Sequence, residues 1–206
     1  MNFDAALRGR RSCRDYLDDP VAAGVLDNVL AAALRAPSAG NSWALDLLVL
    51  EGPDETAAYW DVTLPSGPRR EKFRWPGLLR APVLVIPTVR PQSYVERYAE
   101  ADKDRSGAAR AGLGDSVDGW SVPYWFVDGG ASIMAMLLAA TDAGLSTLLF
   151  GQFDHAPAIA ARFGIPDDRV ALGTIAIGHS TADRTSGRSA RRGRPPLGDI
   201  VHRSHW

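Results

Sequence analysis

Two clusters of arginines, one near each end of the chain, are the residues whose type and spacing most clearly indicate chemistry. The first lies in "ALRGRRSCRDY" and the second in "GRSARRGR", within a chain whose formal net charge is −1. Their members are Arg8, Arg10, Arg11 and Arg14 in the first cluster, and Arg188, Arg191, Arg192 and Arg194 in the second. A planar guanidinium group binds phosphate through two parallel hydrogen bonds, so clustered arginines are typical of a phosphate site. The alternative is that both clusters are solvated surface groups that pair with Asp15, Asp18 and Asp19.

The second cluster contains "RRGRPP", residues 191–196, which suggests a further alternative. Its Arg-Gly-Arg-Pro core is similar to an AT-hook, in which arginines lie along the narrow minor groove of A·T-rich DNA. Such hooks usually occur as repeats in lysine-rich tails, whereas this one occurs once and runs into the apolar "LGDIVH". A minor-groove DNA binder is therefore kept as a remote alternative, and nucleic acid is not the expected partner.

Composition and length narrow the class of protein. A chain of 206 residues, of which 46% are hydrophobic and 23% charged, is typical of one soluble globular domain. The near-zero net charge excludes a uniformly basic nucleic-acid binder. The single cysteine, Cys13, excludes an internal disulfide. No signal peptide and no apolar run of about 18 residues is evident, so the sequence predicts a cytoplasmic protein that does not cross a membrane.

The sequence indicates neither a metal site nor a residue for covalent catalysis. The four histidines, at 155, 179, 202 and 205, have no cysteine or carboxylate at ligand spacing. No Gly-x-Gly-x-x-Gly stands between a strand and a helix, so a dinucleotide-binding motif is not indicated. Cys13 has no neighbouring histidine in the sequence, and we interpret it as a small half-buried side chain.

The spacing of apolar residues predicts alternating helices and short strands. Helices are expected over residues 2–10, 20–34, 54–62, 92–101, 127–144 and 155–166, and buried strands over 45–50, 81–89, 145–150 and 170–178. The turn-forming run "APSAGN", residues 36–41, ends the second helix. The chain is therefore predicted to be a single α+β domain, residues 1–206, with a small central sheet, mixed or antiparallel, surrounded by helices. The helix over 127–144 is apolar on nearly every side, which is typical of the middle of a fold or of a subunit interface.

A long polar segment, residues 91–123, contains several aromatic side chains and is expected to act as a lid or binding loop. Tyr94, Trp120 and Tyr124 are predicted to contact a flat aromatic or quinone-like substrate. The alternative is that these rings are ordinary core or interface aromatics.

The order of four motifs resembles the FMN-dependent nitroreductase family over nearly the whole chain. These motifs are "RRSCRDY", "APSAGN", the apolar helix "VDGGASIMAMLLAATDAG" and the C-terminal "RGRPPLGDIVH". The resemblance implies a nitroreductase-like α+β fold, with the long central helix at a homodimer interface. It implies tightly bound FMN, NAD(P)H as a transient donor, and transfer of hydride through flavin N5 to a small aromatic, nitro or quinone-like acceptor.

The resemblance also implies which residues hold the flavin. Arg10, Arg11 and Ser12 would bind phosphate and ribityl oxygens, Arg192 and Arg194 would close on the phosphate, and Arg14 would face the pyrimidine edge of the ring. Pro37, Ser38, Ala39, Gly40 and Asn41 would pack against the ring from the neighbouring subunit.

The chain departs from the family pattern at two places. Many relatives continue with Gln-Pro-Trp after the Asn, whereas this chain has Trp43, Ala44 and Leu45. Near flavin N5 many relatives carry Pro-x-Glu-Gly, and here Leu149, Phe150, Gly151 and Gln152 take those positions. A backbone N–H of Gly151 or Gln152 is expected to reach N5, while the carboxylate is missing. A member of the same fold that sequesters flavin or uses a deazaflavin, without general nitroreductase activity, is therefore an alternative.

Overall fold

Five antiparallel strands form the sheet at the centre of the computed structural model, which describes residues 2–106, 112–181 and 192–206. The strands are β1 (Leu45–Glu51), β2 (Val83–Val89), β3 (Ser146–Phe150), β4 (Val170–Ala171) and β5 (Thr174–Gly178). They are ordered β1-β2-β5-β3, and β4 pairs with the end of β2. The predicted α+β fold with a small sheet is confirmed, and the ladders between these strands are antiparallel. Arg188 and Arg191 of the second arginine cluster lie outside the described residues.

The strand β2 lies in the middle of the sheet and is buried on both faces. Val83 and Val85 face one core cluster, together with Met136 from the long helix. Leu84 and Ile86 face a second cluster on the other side. This two-sided burial explains why the sequence of β2 is a continuous apolar run rather than an alternating one.

Helices cover both faces of the sheet. They are α1 (Phe3–Gly9), α2 (Ala23–Ala31), α3 (Gly52–Thr63), α4 (Pro68–Glu71), α5 (Gln92–Tyr98), α6 (Tyr124–Asp142) and α7 (Ala156–Phe163). Residues of α2 and α6 fill the first cluster, whereas residues of α3 and α7 fill the second. Short 3-10 turns complete the described elements, at Ala32–Arg35, Ala39–Asn41, Pro76–Arg80, Ala101–Ser106, Val117–Gly119, Phe153–His155 and Leu197–Asp199.

The predicted strand over 170–178 is in fact two strands, β4 and β5. Gly173 separates them with a φ of +122°, a conformation that side chains rarely adopt. A Cβ at Gly173 would lie 2.7 Å from the carbonyl oxygen of Phe150, so the backbones approach closely at the end of β3. This break lies beside the candidate site described below.

The helix α6 begins three residues earlier than the sequence predicted, directly after Pro123. It is the one helix among the described residues whose 19-residue length and mean hydropathy of 1.2 would suffice for a membrane span. This helix is only weakly apolar, and no clear membrane span is found among the described residues. Seven of its residues are buried, and Ile133, Met136 and Leu137 belong to the core cluster that contains β2 and β5. We therefore assign α6 to the core of the fold.

Candidate functional site

The arginine segment, residues 10–14, runs beside the edge strand β3. Ser12 forms an isolated parallel bridge with Thr147, and the N–H of Cys13 donates to the Thr147 carbonyl at 2.9 Å. Tyr16 fixes the end of this segment, because its fully buried side chain donates to the carbonyl oxygen of Ala176 at 3.3 Å. Burial raises the pKa of Tyr16 well above its ordinary value, so the hydroxyl remains a donor. Beyond Arg14, the N–H of Leu17 donates to the carbonyl oxygen of His179 at 2.9 Å, just past the end of β5.

Asp15 and Asp18 do not neutralise the first arginine cluster. Asp15 and Asp18 face Arg80 instead, with the Arg80 Nη2 at 2.6 Å from the Asp15 carboxylate. Within residues 2–106, 112–181 and 192–206, no carboxylate lies within ion-pair distance of Arg10 or Arg14. The guanidinium of Arg14 lies 5.3 Å from the centre of the Trp75 ring. The alternative in which these aspartates pair with the first cluster is therefore wrong for Asp15 and Asp18.

The strand-end segment, residues 149–152, is exposed at Leu149 and Gly151 and is held in the core by the buried side chain of Gln152, of which only 6% is accessible. The Nε2 of Gln152 donates to the Thr174 hydroxyl at 3.0 Å and lies 3.4 Å from the Gly173 carbonyl oxygen. The Tyr59 hydroxyl lies 2.9 Å from the same Thr174 oxygen. Burial raises the pKa of Tyr59 to about 12, so this phenol stays protonated.

Phe150 anchors the same segment through ring contacts. Its ring stacks on Trp60 with a centroid separation of 5.9 Å and an interplanar angle of 10°. Tyr59 meets it edge-on at 6.3 Å. The end of β3 is therefore held from the α3 side by both stacking and hydrogen bonds.

The loop over residues 37–43 lies on a different part of the chain, against α5 and α6. The N–H of Ala39 donates to the Asp128 carboxylate of α6 at 2.6 Å. Tyr94 donates to the same carboxylate oxygen at 2.8 Å. Arg97 of α5 donates to the Gly40 carbonyl at 2.7 Å and binds Asp102 through two hydrogen bonds. Three side chains remote in sequence therefore fix the backbone of this loop.

Several residues of the loop have left-handed backbone conformations. Gly40 has a φ of +64°, and a Cβ there would lie 2.5 Å from the Tyr98 ring, so the position requires glycine. Asn41 and Trp43 have φ values of +61° and +48°. A bulky residue in this conformation is unusual and is tolerated because its surroundings fix it. The Trp43 indole N–H donates to the Asn41 side chain, and its backbone N–H donates to the Ser38 hydroxyl at 3.1 Å.

The three rings predicted to contact substrate have different environments. Tyr94 and Trp120 are buried in a core cluster with Trp125, and their rings are 5.5 Å apart. Tyr124, in contrast, is 42% exposed and meets the edge of Trp120 at 6.0 Å. Direct contact of the three rings with substrate stays a prediction, and Tyr124 is the ring that this chain leaves accessible.

Arg192 and Arg194 lie on the C-terminal segment 192–206, every residue of which is exposed. The convergence of both arginine clusters on one phosphate therefore stays a prediction. Within one chain, the structure places the arginine segment beside Thr147 of β3, the strand that leads into the strand-end segment. The loop over 37–43 lies against α5 and α6.

Sequence reasoning missed the side chains that hold these segments. They are Asp128 and Arg97 beneath the loop, and Tyr59 and Thr174 beneath the strand end. One signal was visible: Asp128 is the only charged residue between Tyr124 and Thr141 in an otherwise apolar helix. A carboxylate in such a helix requires hydrogen-bond partners, although the sequence does not say which.

Comparison with known proteins identifies relatives over most of the chain. A sequence model of the Nitroreductase family matches residues 7–114 and 122–179. A 4-nitrobenzoate reductase from Nocardioides sp. (strain LMS-CY) is 30% identical over 217 residues, covering 94% of this chain and 86% of the relative.

Solved structures share the fold. A nitroreductase from Exiguobacterium sibiricum 255-15, solved in complex with FMN, aligns with a TM-score of 0.74 at 22% identity, over 98% of this chain and 97% of that one. A nitroreductase family protein from Clostridium difficile 630 aligns with a TM-score of 0.70 at 20% identity, over the whole of both chains.

Proposed function

The chain belongs to the Nitroreductase family, and we propose that it is an FMN-dependent oxidoreductase that uses NAD(P)H to reduce a small nitroaromatic or quinone-like acceptor. Bound FMN would supply a ring that takes up hydride at N5 from the donor and passes it to the acceptor. The residues of the chain would bind and orient this cofactor, and no side chain is assigned to covalent catalysis. A cytoplasmic location, where NAD(P)H is available, is part of this proposal.

The observation that carries the proposal is the pair of arginines without carboxylate partners on the segment beside β3. Arg10 and Arg14 carry planar guanidinium groups, and neither is within ion-pair distance of a carboxylate among the described residues. Together with Arg11 and Ser12 they form a set of donors, which suits a phosphate dianion and polar ribityl oxygens. The donor chemistry of this segment therefore fits FMN.

Each segment would have its own role toward the cofactor. Arg10, Arg11 and Ser12 would hold the phosphate and ribityl chain, and the tail residues Arg192 and Arg194 would join them at the phosphate. Arg14 would place a fixed positive charge at the pyrimidine edge of the ring. The exposed backbone of residues 149–152 would offer an N–H to N5.

The remaining side of the site would come from a second copy of the chain. The loop over residues 37–43 is held by hydrogen bonds with α5 and α6. Four large apolar side chains of α6 are exposed in the single chain: Tyr124, Phe126, Val127 and Met134. A face of this kind is typical of a subunit interface. We therefore propose a homodimer in which the loop of each chain packs against the flavin held by its partner.

The acceptor is proposed from the relative and from the accessible ring. The relative from Nocardioides is a 4-nitrobenzoate reductase, which indicates a nitroaromatic acceptor for this chain. The exposed ring of Tyr124 would provide an edge or face for such a flat substrate.

Spectroscopy of the purified protein tests the proposal directly. The protein should show a flavin spectrum as isolated or after incubation with FMN and dialysis. This spectrum should bleach with NADH or NADPH under exclusion of oxygen and recover on addition of 4-nitrobenzoate. A colourless protein that retains no FMN would overturn the cofactor assignment, and a flavin that no nicotinamide reduces would favour a sequestering or deazaflavin-using role.

Mixing two defective variants tests whether the loop serves the partner's site. Arg10→Glu should abolish FMN binding through the arginine segment, whereas Asp128→Ala should loosen the loop. Unfolded together and refolded, they should form heterodimers in which one site carries both defects and the other carries none, so about a quarter of all sites recover tight FMN binding. A mixture that binds no more FMN than the separate variants would place both elements in the same chain's site.

A further inference from the structure

A chain of buried polar groups lies directly behind the exposed strand-end segment. Gln152, Thr174 and Tyr59 are 6%, 0% and 1% exposed. The Gln152 amide nitrogen is 3.0 Å from the Thr174 hydroxyl, which is 2.9 Å from the Tyr59 hydroxyl. Three polar side chains from the β3 end, β5 and α3 therefore meet in the core.

The orientation of the Gln152 amide follows from its neighbours. The carbonyl oxygen of Gly173, 3.4 Å away, can only accept a hydrogen bond, so the amide nitrogen must face it. The same nitrogen donates to Thr174. The Oε1 atom is consequently left buried, and no partner for it exists among the described residues. An unpaired buried oxygen costs free energy, and the two hydrogen bonds of the amide nitrogen offset part of that cost while holding Gln152 against β5.

The element held in place is the turn that leaves β3. Within this turn Gly151 is exposed, whereas the side chain of the next residue, Gln152, is buried in the core. Phe153 then takes a left-handed backbone conformation with a φ of +47°. Many family relatives carry glycine where this chain has Gln152, and glycine has no side chain with which to anchor the turn.

We propose that Gln152, braced by Thr174 and Tyr59, is a positioning residue that fixes the Gly151–Gln152 peptide against the flavin and so sets the relative affinity for oxidised and reduced FMN. This inference rests on the proposed function. Flavin N5 accepts a hydrogen bond when it is oxidised and carries a hydrogen when it is reduced. A rigidly held N–H pointing at N5 therefore favours the oxidised form.

The test compares variants that remove different hydrogen bonds of the chain Gln152–Thr174–Tyr59. Gln152→Leu removes the anchor, including its unpartnered oxygen. Thr174→Val removes one hydroxyl with little change of shape, and Thr174→Ser restores it. Thr56→Val is the matched control, because Thr56 is equally buried but donates to the backbone of its own helix at Gly52.

Two quantities are measured on each protein. In the absence of flavin, amide hydrogen exchange of residues 150–155 should quicken in Gln152→Leu and Thr174→Val, and not in Thr174→Ser or Thr56→Val. With flavin bound, Kd for oxidised FMN should rise about tenfold more than Kd for reduced FMN in the first two variants, which raises the two-electron midpoint potential by about 30 mV. Thr174→Ser should recover the wild-type potential.

Each result decides a separate point. Unchanged amide exchange in both Gln152→Leu and Thr174→Val would show that the hydrogen bonds among Gln152, Thr174 and Tyr59 do not hold the turn. Faster exchange with an unchanged midpoint potential would overturn the role toward flavin. If the wild-type protein binds no FMN, the proposed function itself fails and the flavin role fails with it, whatever the exchange shows.

Discussion

The carboxylate of Asp128 should be the principal anchor of the loop over residues 37–43, and its removal should destabilise the protein measurably. It accepts hydrogen bonds from the Ala39 N–H at 2.6 Å and from the Tyr94 hydroxyl at 2.8 Å. Tyr94 is 1% exposed, so its hydroxyl cannot exchange this bond for water. Burial and the neighbouring carboxylate both raise the pKa of Tyr94, which keeps it a proton donor at all accessible pH values.

The size of the effect follows from these two bonds. A hydrogen bond to a charged group contributes about 1.5–3 kcal/mol, so two of them would contribute about 3–6 kcal/mol. The Ser38 side chain lowers the pKa of Tyr94 and so lies near its hydroxyl, where it can serve as another partner once the carboxylate is removed; this reduces the loss. We therefore expect Asp128→Ala to lower the free energy of unfolding by about 3 kcal/mol, and Asp128→Asn, which keeps an acceptor without the charge, by about 1 kcal/mol.

Urea unfolding of the flavin-free protein measures these values, with Asp27→Ala on the exposed surface of α2 as the control. That control should change stability by less than about 0.5 kcal/mol. A double-mutant cycle with Tyr94→Phe should give a coupling energy of about 1 kcal/mol, since the shared bond can be lost only once. Strictly additive effects, or a loss below about 0.5 kcal/mol for Asp128→Ala, would refute the reasoning.

Three further predictions concern the cofactor, the acceptor and pH. Arg10→Ala should weaken FMN binding about 10- to 100-fold by flavin fluorescence titration, whereas Arg8→Ala, which removes a surface ion pair with an aspartate of its own helix, should leave Kd within about twofold. Tyr124→Ala should raise KM for 4-nitrobenzoate while leaving the affinity for FMN within about twofold, since its ring is exposed and the loss is one of substrate contact. A hydrogen bond from Arg97 lowers the pKa of Asp102, so the stabilisation from this pair is complete above the ordinary carboxyl pKa and is lost as pH falls through the lower folded-state value. The difference in urea midpoint between wild type and Asp102→Asn should accordingly be constant near neutrality and vanish in acid; a difference that persists in strong acid would contradict the assignment.

The elements of the fold could be predicted because their signals are local. The long apolar stretch of α6 and the unbroken apolar run of β2 follow from burial on more than one face, and both can be seen in neighbouring residues of the sequence. The break at Gly173 could not be predicted from its own segment, because it depends on the approach of the Phe150 carbonyl from another strand. The site likewise combines features that local sequence predicts with contacts between distant segments that it does not. Arginine clustering and the turn-forming run over 36–41 are visible in the sequence, whereas the partners of Asp128 and Arg97 are 89 and 57 residues away along the chain.

The two segments proposed to contact flavin, residues 37–43 and 149–152, are held in the same way. This explains why their side chains can differ from the family pattern. In each, accessible backbone is held by a polar anchor: the half-buried Asp128 binds the Ala39 N–H, and the buried Gln152 holds the Gly151–Gln152 peptide. Backbone N–H groups and small residues offer a planar ligand the same contacts whatever side chains flank them. Replacement of a flanking side chain, such as the Trp43 of this chain, therefore alters what surrounds the ring without removing the backbone contacts. Loss of an anchor has the opposite effect. The exposed side chains remain, but the backbone that would contact the cofactor is displaced.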